Sequence, residues 1–391
     1  MIFLDLGNQP FANEYLKKKN KKEKKYSLKI DFNTKNKIVS IKKKFLSNQI
    51  FKKDYPYRSS ISETMKKSFF ELAKKIKKKF KKQKILEIGC NDGVFLRHFN
   101  QSLSLGIEPC IGIANIARKK KLNVISKYWN FDLAKKIKKK YNNFEIIFSA
   151  NTITHIKNYN EVFSSVNHLL GDDGIFIIQD PSLLSLLKTN AYDQFYNEHI
   201  YVFSYLSLKN ILKKHNLEIF DLENINVHGG SIRYYIQKKN GIYKKRKSIF
   251  LQEKKEIEYG LSKISTYKKF RDRVNHSKNE LVKILKKFKD ENKTVIGYGA
   301  TAKAVTVLNY CKINSKYIEY FVDTTPEKQN KFMPGVKIKV KKYKFLNRNK
   351  VDYAFLGAWN FKEEILKKEK KFLKMGGKFI THIPKPRIIS K

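Results

Sequence analysis

Apolar residues recur at helical spacing between positions 62 and 80, through Phe69, Phe70, Leu72, Ala73, Ile76 and Phe80. Beyond that stripe the pattern breaks into short apolar runs separated by longer mixed ones. Residues 85–88, 105–108, 124–125, 146–149 and 175–179 read as strands, and 113–119, 133–141 and 159–170 as helices. Strands alternating with helices predict βαβ units and a parallel sheet. Two more strand-like runs, 217–227 and 232–237, are joined by His228-Gly229-Gly230-Ser231 and predict an edge hairpin. Residues 244–290 read as charged and helical, a link between two units. The alternation then restarts, with strands at 294–299, 318–323, 351–356 and, last, 378–383, and helices at 302–310 and 361–373. The first sixty residues are polar and rich in lysine, with small strands expected at 26–30 and 38–41. The expectation is an α/β chain with segments 1–60, 61–240, 241–291 (a helical linker) and 292–391.

Composition narrows the class. The chain has 391 residues, and 41% are hydrophobic, enough for real cores and too many for wholesale disorder. Lys+Arg is 84 and Asp+Glu 35, a formal net charge of +49. Only nine of the basic residues are arginine, and the lysines run along the whole chain. Nucleic-acid binders cluster their charge and favour arginine forks, so this excess reads as lysine on solvated faces. No nucleic-acid partner is expected, although the field favours anionic substrates. The three cysteines, Cys90, Cys110 and Cys311, form no CxxC pair, which argues against a disulfide framework and a cysteine-based zinc site. No uncharged apolar run is long enough for a membrane span, and the first residues do not read as a signal peptide. A cytoplasmic, reducing setting is expected.

The chemistry begins at Glu87-Ile88-Gly89-Cys90-Asn91-Asp92-Gly93, an acidic residue and a GxxxG at a strand-to-helix turn. Its glycines let the backbone approach a ligand, and the helix expected to follow would present free N–H groups. The next predicted strand ends in Glu108-Pro109, where a carboxylate can accept both hydroxyls of a ribose. Asn151 and His155 follow the fourth strand, on the side where open parallel sheets bind ligands. Beyond the fifth strand, Tyr196-Asn197-Glu198-His199 gathers a phenol, a carboxylate and an imidazole, a set suited to general base chemistry.

The glycine loop with Glu108 resembles the cofactor signature of class I S-adenosylmethionine-dependent methyltransferases. The whole chain resembles the three-domain sugar C-methyltransferases, which act on carbon 3 of nucleotide-linked 4-keto deoxysugars. The resemblance runs through Leu4-Asp5-Leu6-Gly7-Asn8-Gln9-Pro10-Phe11-Ala12-Asn13, Tyr55-Pro56-Tyr57-Arg58-Ser59-Ser60, the glycine loop, Asn151 to His155, and Tyr196 to His199. It continues through His228-Gly229-Gly230-Ser231-Ile232-Arg233, Gly297-Tyr298-Gly299-Ala300-Thr301-Ala302-Lys303 and Asp323-Thr324-Thr325-Pro326. It departs at the start: the family's amino-terminal module holds zinc on four cysteines, and here no cysteine precedes Cys90. No zinc is expected.

The resemblance implies a class I Rossmann-like methyltransferase domain, a second Rossmann-like domain at the C-terminus, and a small N-terminal module. It implies S-adenosylmethionine as cofactor, held by Glu87, Gly89, Asn91, Asp92, Gly93, Glu108, Pro109 and Asn151. His199 would take the proton from carbon 3, while Tyr196, Glu198 and His155 line the sugar and orient that base. Tyr55 or Tyr57 would close the site from the N-terminal module. Lys303, on a glycine-rich turn, would meet the diphosphate of a nucleotide-diphosphate sugar. The alternatives are O-methylation of another sugar or small metabolite, an RNA-binding methyltransferase, and a non-catalytic relative. Sequence leaves the sugar, the nucleotide and the oligomeric state open.

Overall fold

The computed structural model describes residues 1–53, 55–80 and 84–390. The chain opens with strands β1 (Ile2–Gln9), β2 (Tyr26–Asn33) and β3 (Ile38–Ile41) in an antiparallel meander. Asn33 Oδ1 accepts the Asn36 N–H at 3.0 Å and tightens the turn between β2 and β3. Strand β1 went unpredicted. Its register slips twice against β2, which destroys the two-residue alternation that marks a strand.

Helix Glu63–Lys79 is capped by Ser62, whose side chain accepts the Met65 N–H, and it buries Met65, Phe69, Leu72, Ala73 and Ile76. Phe70, counted on the apolar stripe, faces outward instead, 45% exposed. The main sheet follows, with β4 (Ile85–Ile88), β5 (Ser104–Ile107), β6 (Val124–Ile125), β7 (Phe144–Ala150) and β8 (Leu170–Pro181). All four residues of β4 and of β5 are buried, as expected of strands covered on both faces. Strand β9 (Tyr201–Val202) leaves this unit and pairs with β3, so the N-terminal sheet runs β1-β2-β3-β9. The hairpin β10 (Leu217–Ile225) and β11 (Ser231–Lys238) completes the seven-stranded order β10-β11-β8-β7-β4-β5-β6. Strands β4 to β8 run parallel, and the order reverses beside β4, where open sheets bind ligands.

Helices Lys247–Tyr259 and Ile264–Asp290 connect to the last unit, the first ending at Gly260 in the left-handed region. That unit contains β12 (Val295–Tyr298), β13 (Tyr320–Asp323), β14 (Lys339–Lys342), β15 (Tyr353–Leu356), β16 (Lys378–Thr381) and β17 (Arg387–Ile389), ordered β14-β13-β12-β15-β16-β17. Two expectations need correcting here. The strand ending near residue 383 is not the last, because β17 folds back antiparallel on β16. The helix expected over 361–373 is two, Lys362–Lys368 and Lys370–Lys374. Glu369 at the junction is buried and accepts the Tyr298 and Tyr343 hydroxyls and the Leu346 N–H, which turns the chain inward there.

The N-terminal sheet is welded to both neighbours. Phe32 stacks on Tyr267 of the long helix, ring centroids 4.2 Å apart, and Phe3 packs on the same ring. Truncating such a buried ring costs about 3–5 kcal/mol. Leu16 bridges to Phe332, and Tyr15 donates its hydroxyl to the Ala300 carbonyl. Among the described residues, no group of three His, Cys, Asp or Glu side chains is arranged to hold a metal, and no helix is long and apolar enough to cross a membrane.

Candidate active site

One cavity, with about 1550 Å³ of empty space including its open mouth, lies where all three sheets meet. Its first wall is the carboxyl edge of the main sheet. Gly89 has φ +75°, and a Cβ there would come within 2.1 Å of Thr152 Oγ1, so only glycine fits. The Gly89 and Cys90 N–H groups donate to the Ile107 carbonyl, which folds the loop back onto β5. Glu108 clamps the loop from the other side: Oε2 accepts the Asn91 N–H at 3.0 Å and Oε1 the Cys110 N–H at 2.9 Å. Each oxygen keeps a second lone pair. Asn91 also holds the preceding segment, accepting the Ser59 N–H and donating to the Tyr57 carbonyl. Glu87 is buried, and its Oε2 has no partner, an acceptor short of a donor. Burial pushes its carboxyl well above the usual range.

The opposite end carries the acid–base groups. His199 is buried, and both of its ring nitrogens are engaged. Nδ1 lies 2.8 Å from the Gln194 carbonyl, which can only accept, so Nδ1 carries the proton. Nε2 therefore holds the lone pair and accepts the Tyr196 hydroxyl at 2.6 Å. Burial, then the charges of His155 and Lys303, pulls the imidazole well below its ordinary value and keeps it neutral. His155 sits beside it, ring centroids 4.9 Å apart, with Nδ1 on the Glu198 carbonyl at 2.7 Å. Burial brings His155 down to about 4.

The Glu198 carboxylate does not touch His199. It turns toward the N-terminal module, where Oε2 accepts the Tyr55 hydroxyl at 2.7 Å and both oxygens accept Asn13 Nδ2. Burial raises this carboxyl to about 7, against the opposing pull of those hydrogen bonds. Glu198 lines a neighbouring cleft, and Asn13 and Tyr55 are shared between cleft and cavity. Of the two tyrosines left open by sequence, Tyr55 is thus the one that reaches Glu198. Tyr57 also lines the cavity.

Most of the expected residues gather here: Glu87, Gly89, Asn91, Glu108, Pro109, Asn151, His155, Tyr196, His199 and Lys303 line one cavity. Asp92 and Gly93 do not. Asp92 is turned into the protein, its Oδ2 3.6 Å from Lys120 Nζ, and a Cβ on Gly93 would strike Leu122. Sequence reading missed Asn13, Gln194 and His228. Asn13 closes the Leu4–Asn13 motif and could have been found there. Gln194 acts through its carbonyl, which no side-chain pattern announces.

A methyltransferase domain model matches residues 57–222, and a C-methyltransferase C-terminal domain model matches residues 226–384. C-methyltransferase NovU of Streptomyces niveus is 31% identical over 308 residues, covering 78% of this chain and 73% of NovU. The chain belongs to the S-adenosylmethionine-dependent C-methyltransferases. Solved structures resemble less than half of the chain, at lower identity. The PH0226 protein of Pyrococcus horikoshii is 17% identical, with TM-score 0.37, over 47% of this chain and 95% of its own. A methyltransferase from Thermotoga maritima is 16% identical, with TM-score 0.34, over 44% and 89%.

The cavity fits the cofactor of this C-methyltransferase on its own chemistry. Glu108 has free lone pairs for a diol, and the unpartnered Glu87 Oε2 suits an ammonium.

Proposed function

We propose that this C-methyltransferase methylates a carbon next to the keto group of a nucleotide-activated sugar. The observation that carries the reading is His199: a buried, neutral imidazole with its lone pair on Nε2, across one cavity from the glycine loop. The cofactor supplies an electrophilic methyl group when bound. Everything else is work for this chain. Glu108 accepts the ribose hydroxyls, Gly89, Asn91, Pro109 and Asn151 shape the cradle, and Glu87 takes the ammonium. Asp92 and Gly93 act beneath the loop, keeping its turn.

As the sugar enters, the Tyr196 hydroxyl swings off Nε2, and His199 takes the proton next to the ketone. Gln194 holds the opposite nitrogen, so the ring needs no tautomer change. His155 and Tyr196 flank the sugar, while Glu198, Asn13 and Tyr55 form one hydrogen-bonded wall from the N-terminal module. Attack by the resulting carbanion depends chiefly on orientation, which a cavity walled from three sides provides. The segments 1–60, 61–240, 241–291 and 292–391 serve as module, cofactor unit, linker and sugar-nucleotide unit. Three buried, unpaired cysteines suit a cytoplasmic setting.

The test is proton exchange. In heavy water with S-adenosylhomocysteine, the wild type should wash deuterium into the carbon beside the ketone. His199→Ala should keep cofactor binding and lose exchange by on the order of 10²–10⁴. Exchange at the wild-type rate in the variant would assign the base elsewhere. Methylation of a hydroxyl without exchange in the wild type would replace carbon with oxygen as acceptor.

A further inference from the structure

The chain is crowded with lysine, yet among the described residues only Lys303 and Lys328 are buried. Both line the cavity. Lys328 is satisfied, donating to the Ala300 carbonyl at 2.8 Å and lying 3.6 Å from Asp323. Lys303 is not: it is 8% exposed, and its Nζ has no hydrogen-bond partner. Burying an unpaired ammonium is costly, so a fold that keeps one leaves it for something that arrives later.

Two features retain it. Nζ lies 5.0 Å from the centre of the Trp359 ring, whose face attracts cations. Asp193 lends its field without bonding Lys303: its Oδ2 accepts Trp359 Nε1 at 2.6 Å and faces His382 Nε2 at 3.0 Å, and its Oδ1 has no hydrogen-bond partner. The titratable groups near Lys303 are therefore Asp193, His199 and His228, with His382 behind Asp193. Lys303 in turn helps to keep His199 and His228 neutral, so it stands at the acid–base end of the cavity. It also opens helix Ala302–Tyr310, whose first N–H groups have no helical acceptor.

A nucleotide sugar brings two candidate anions. A diphosphate is permanently charged and strongly hydrated, and the adjoining cleft offers it Lys17, Lys18, Lys21, Lys52 and Lys53. The other anion exists only during reaction. We propose that Lys303 faces the ketone oxygen and stabilises the negative charge that forms there when His199 removes the neighbouring proton. The inference rests on the keto-sugar reading above and replaces the diphosphate as the partner expected for Lys303. The carbon–hydrogen bond breaks, its proton goes to His199 Nε2, and its electron pair becomes the carbon–carbon double bond. The carbonyl π pair moves onto oxygen, next to the ammonium. A preplaced cation in a dry site acts on that charge without reorganising solvent. Burial has already brought Lys303 down to about 8, so it is charged at neutral pH and loses its proton just above.

The probe is thymidine diphosphate 4-keto-6-deoxyglucose with S-adenosylhomocysteine in heavy water, exchange at the carbons flanking the ketone being read by NMR. Lys303→Met should slow exchange of the bound probe by on the order of 10²–10³. Its affinity for the probe should change by less than about threefold, on the scale of an uncontacted charge. Wild-type exchange should fall as pH rises through about 8, while Lys303→Arg, whose charge persists, should show no such fall. This comparison and the wild-type profile carry the test if Lys303→Met does not fold. Wild-type exchange in Lys303→Met overturns the proposal. So does an equal loss of affinity for the probe and for thymidine diphosphate, which would return Lys303 to the diphosphate. A wild type that exchanges neither carbon sinks the keto-sugar reading itself, and this proposal with it.

Discussion

Replacing Glu198 by glutamine should make the protein more stable in mild alkali and leave it unchanged in mild acid. The carboxyl is 1% exposed, and burial raises it from its ordinary 4.5 to about 7 despite hydrogen bonds from Tyr55 and Asn13. A carboxyl raised by folding stabilises the folded state while it is protonated. That contribution is complete below about 4.5 and is lost as pH rises through about 7. The interval corresponds to roughly 3 kcal/mol of stability withdrawn in alkali. Glutamine never ionises. Its Oε1 can still accept Asn13 Nδ2, and its Nε2 can donate to the Tyr55 oxygen, so both neighbours keep a partner. Melting followed by circular dichroism at pH 4.5 and pH 8.5 separates the effects. Glu198→Gln should melt a few degrees higher than the wild type at pH 8.5, and within a degree or so of it at pH 4.5. The same offset at both pH values would mean that Glu198 is ionised and satisfied throughout, and the reasoning would fail.

Glu108→Ala should weaken S-adenosylmethionine by roughly 1.5–3 kcal/mol, the scale of a charged hydrogen bond, and unchanged affinity by calorimetry would remove Glu108 from the ribose. Gly89→Ala forces a side chain to φ +75° and against Thr152, so both the melting temperature and cofactor affinity should drop; a variant that keeps both would show that the loop yields easily. Because His199 stays neutral well below 6.5, turnover should remain level as pH falls from 7 to 6, and an acid limb centred near 6.5 would contradict its burial. Elemental analysis of protein purified without chelator should find no stoichiometric zinc, and about one zinc per chain would point to ligands outside those considered.

The glycine-loop side of the cavity was legible because its pattern is local. A strand, a glycine with positive φ and an acidic residue one βα unit later must follow one another in the chain, as Ile88, Gly89 and Glu108 do. The acid–base triplet was legible as a cluster, but its wiring was not. Sequence adjacency pairs Glu198 with His199, whereas the backbone turns their side chains apart, toward Asn13 on one side and Gln194 and Tyr196 on the other. Strand β1 escaped because its bulges erase periodicity, and β9 because two residues carry none. The surroundings of Lys303 depend on Asp193, Trp359 and His382, contacts across as many as 189 residues that no local pattern encodes.

The welding of the N-terminal sheet bears on how the chain is made. Strands β1 to β3 are made well before what secures them: β9 at Tyr201 and the ring of Tyr267, with Leu16 in the loop between β1 and β2 waiting for the backbone of Phe332. At roughly 5–20 residues per second, these strands wait on the order of 15–60 seconds for their last partner. Until Tyr267 is made, the apolar faces of Phe3 and Phe32, buried in the finished protein, lack the ring they pack against. These strands are thus made early and secured late, and the lysines between β1 and β2 keep that stretch repelling its copies while it waits.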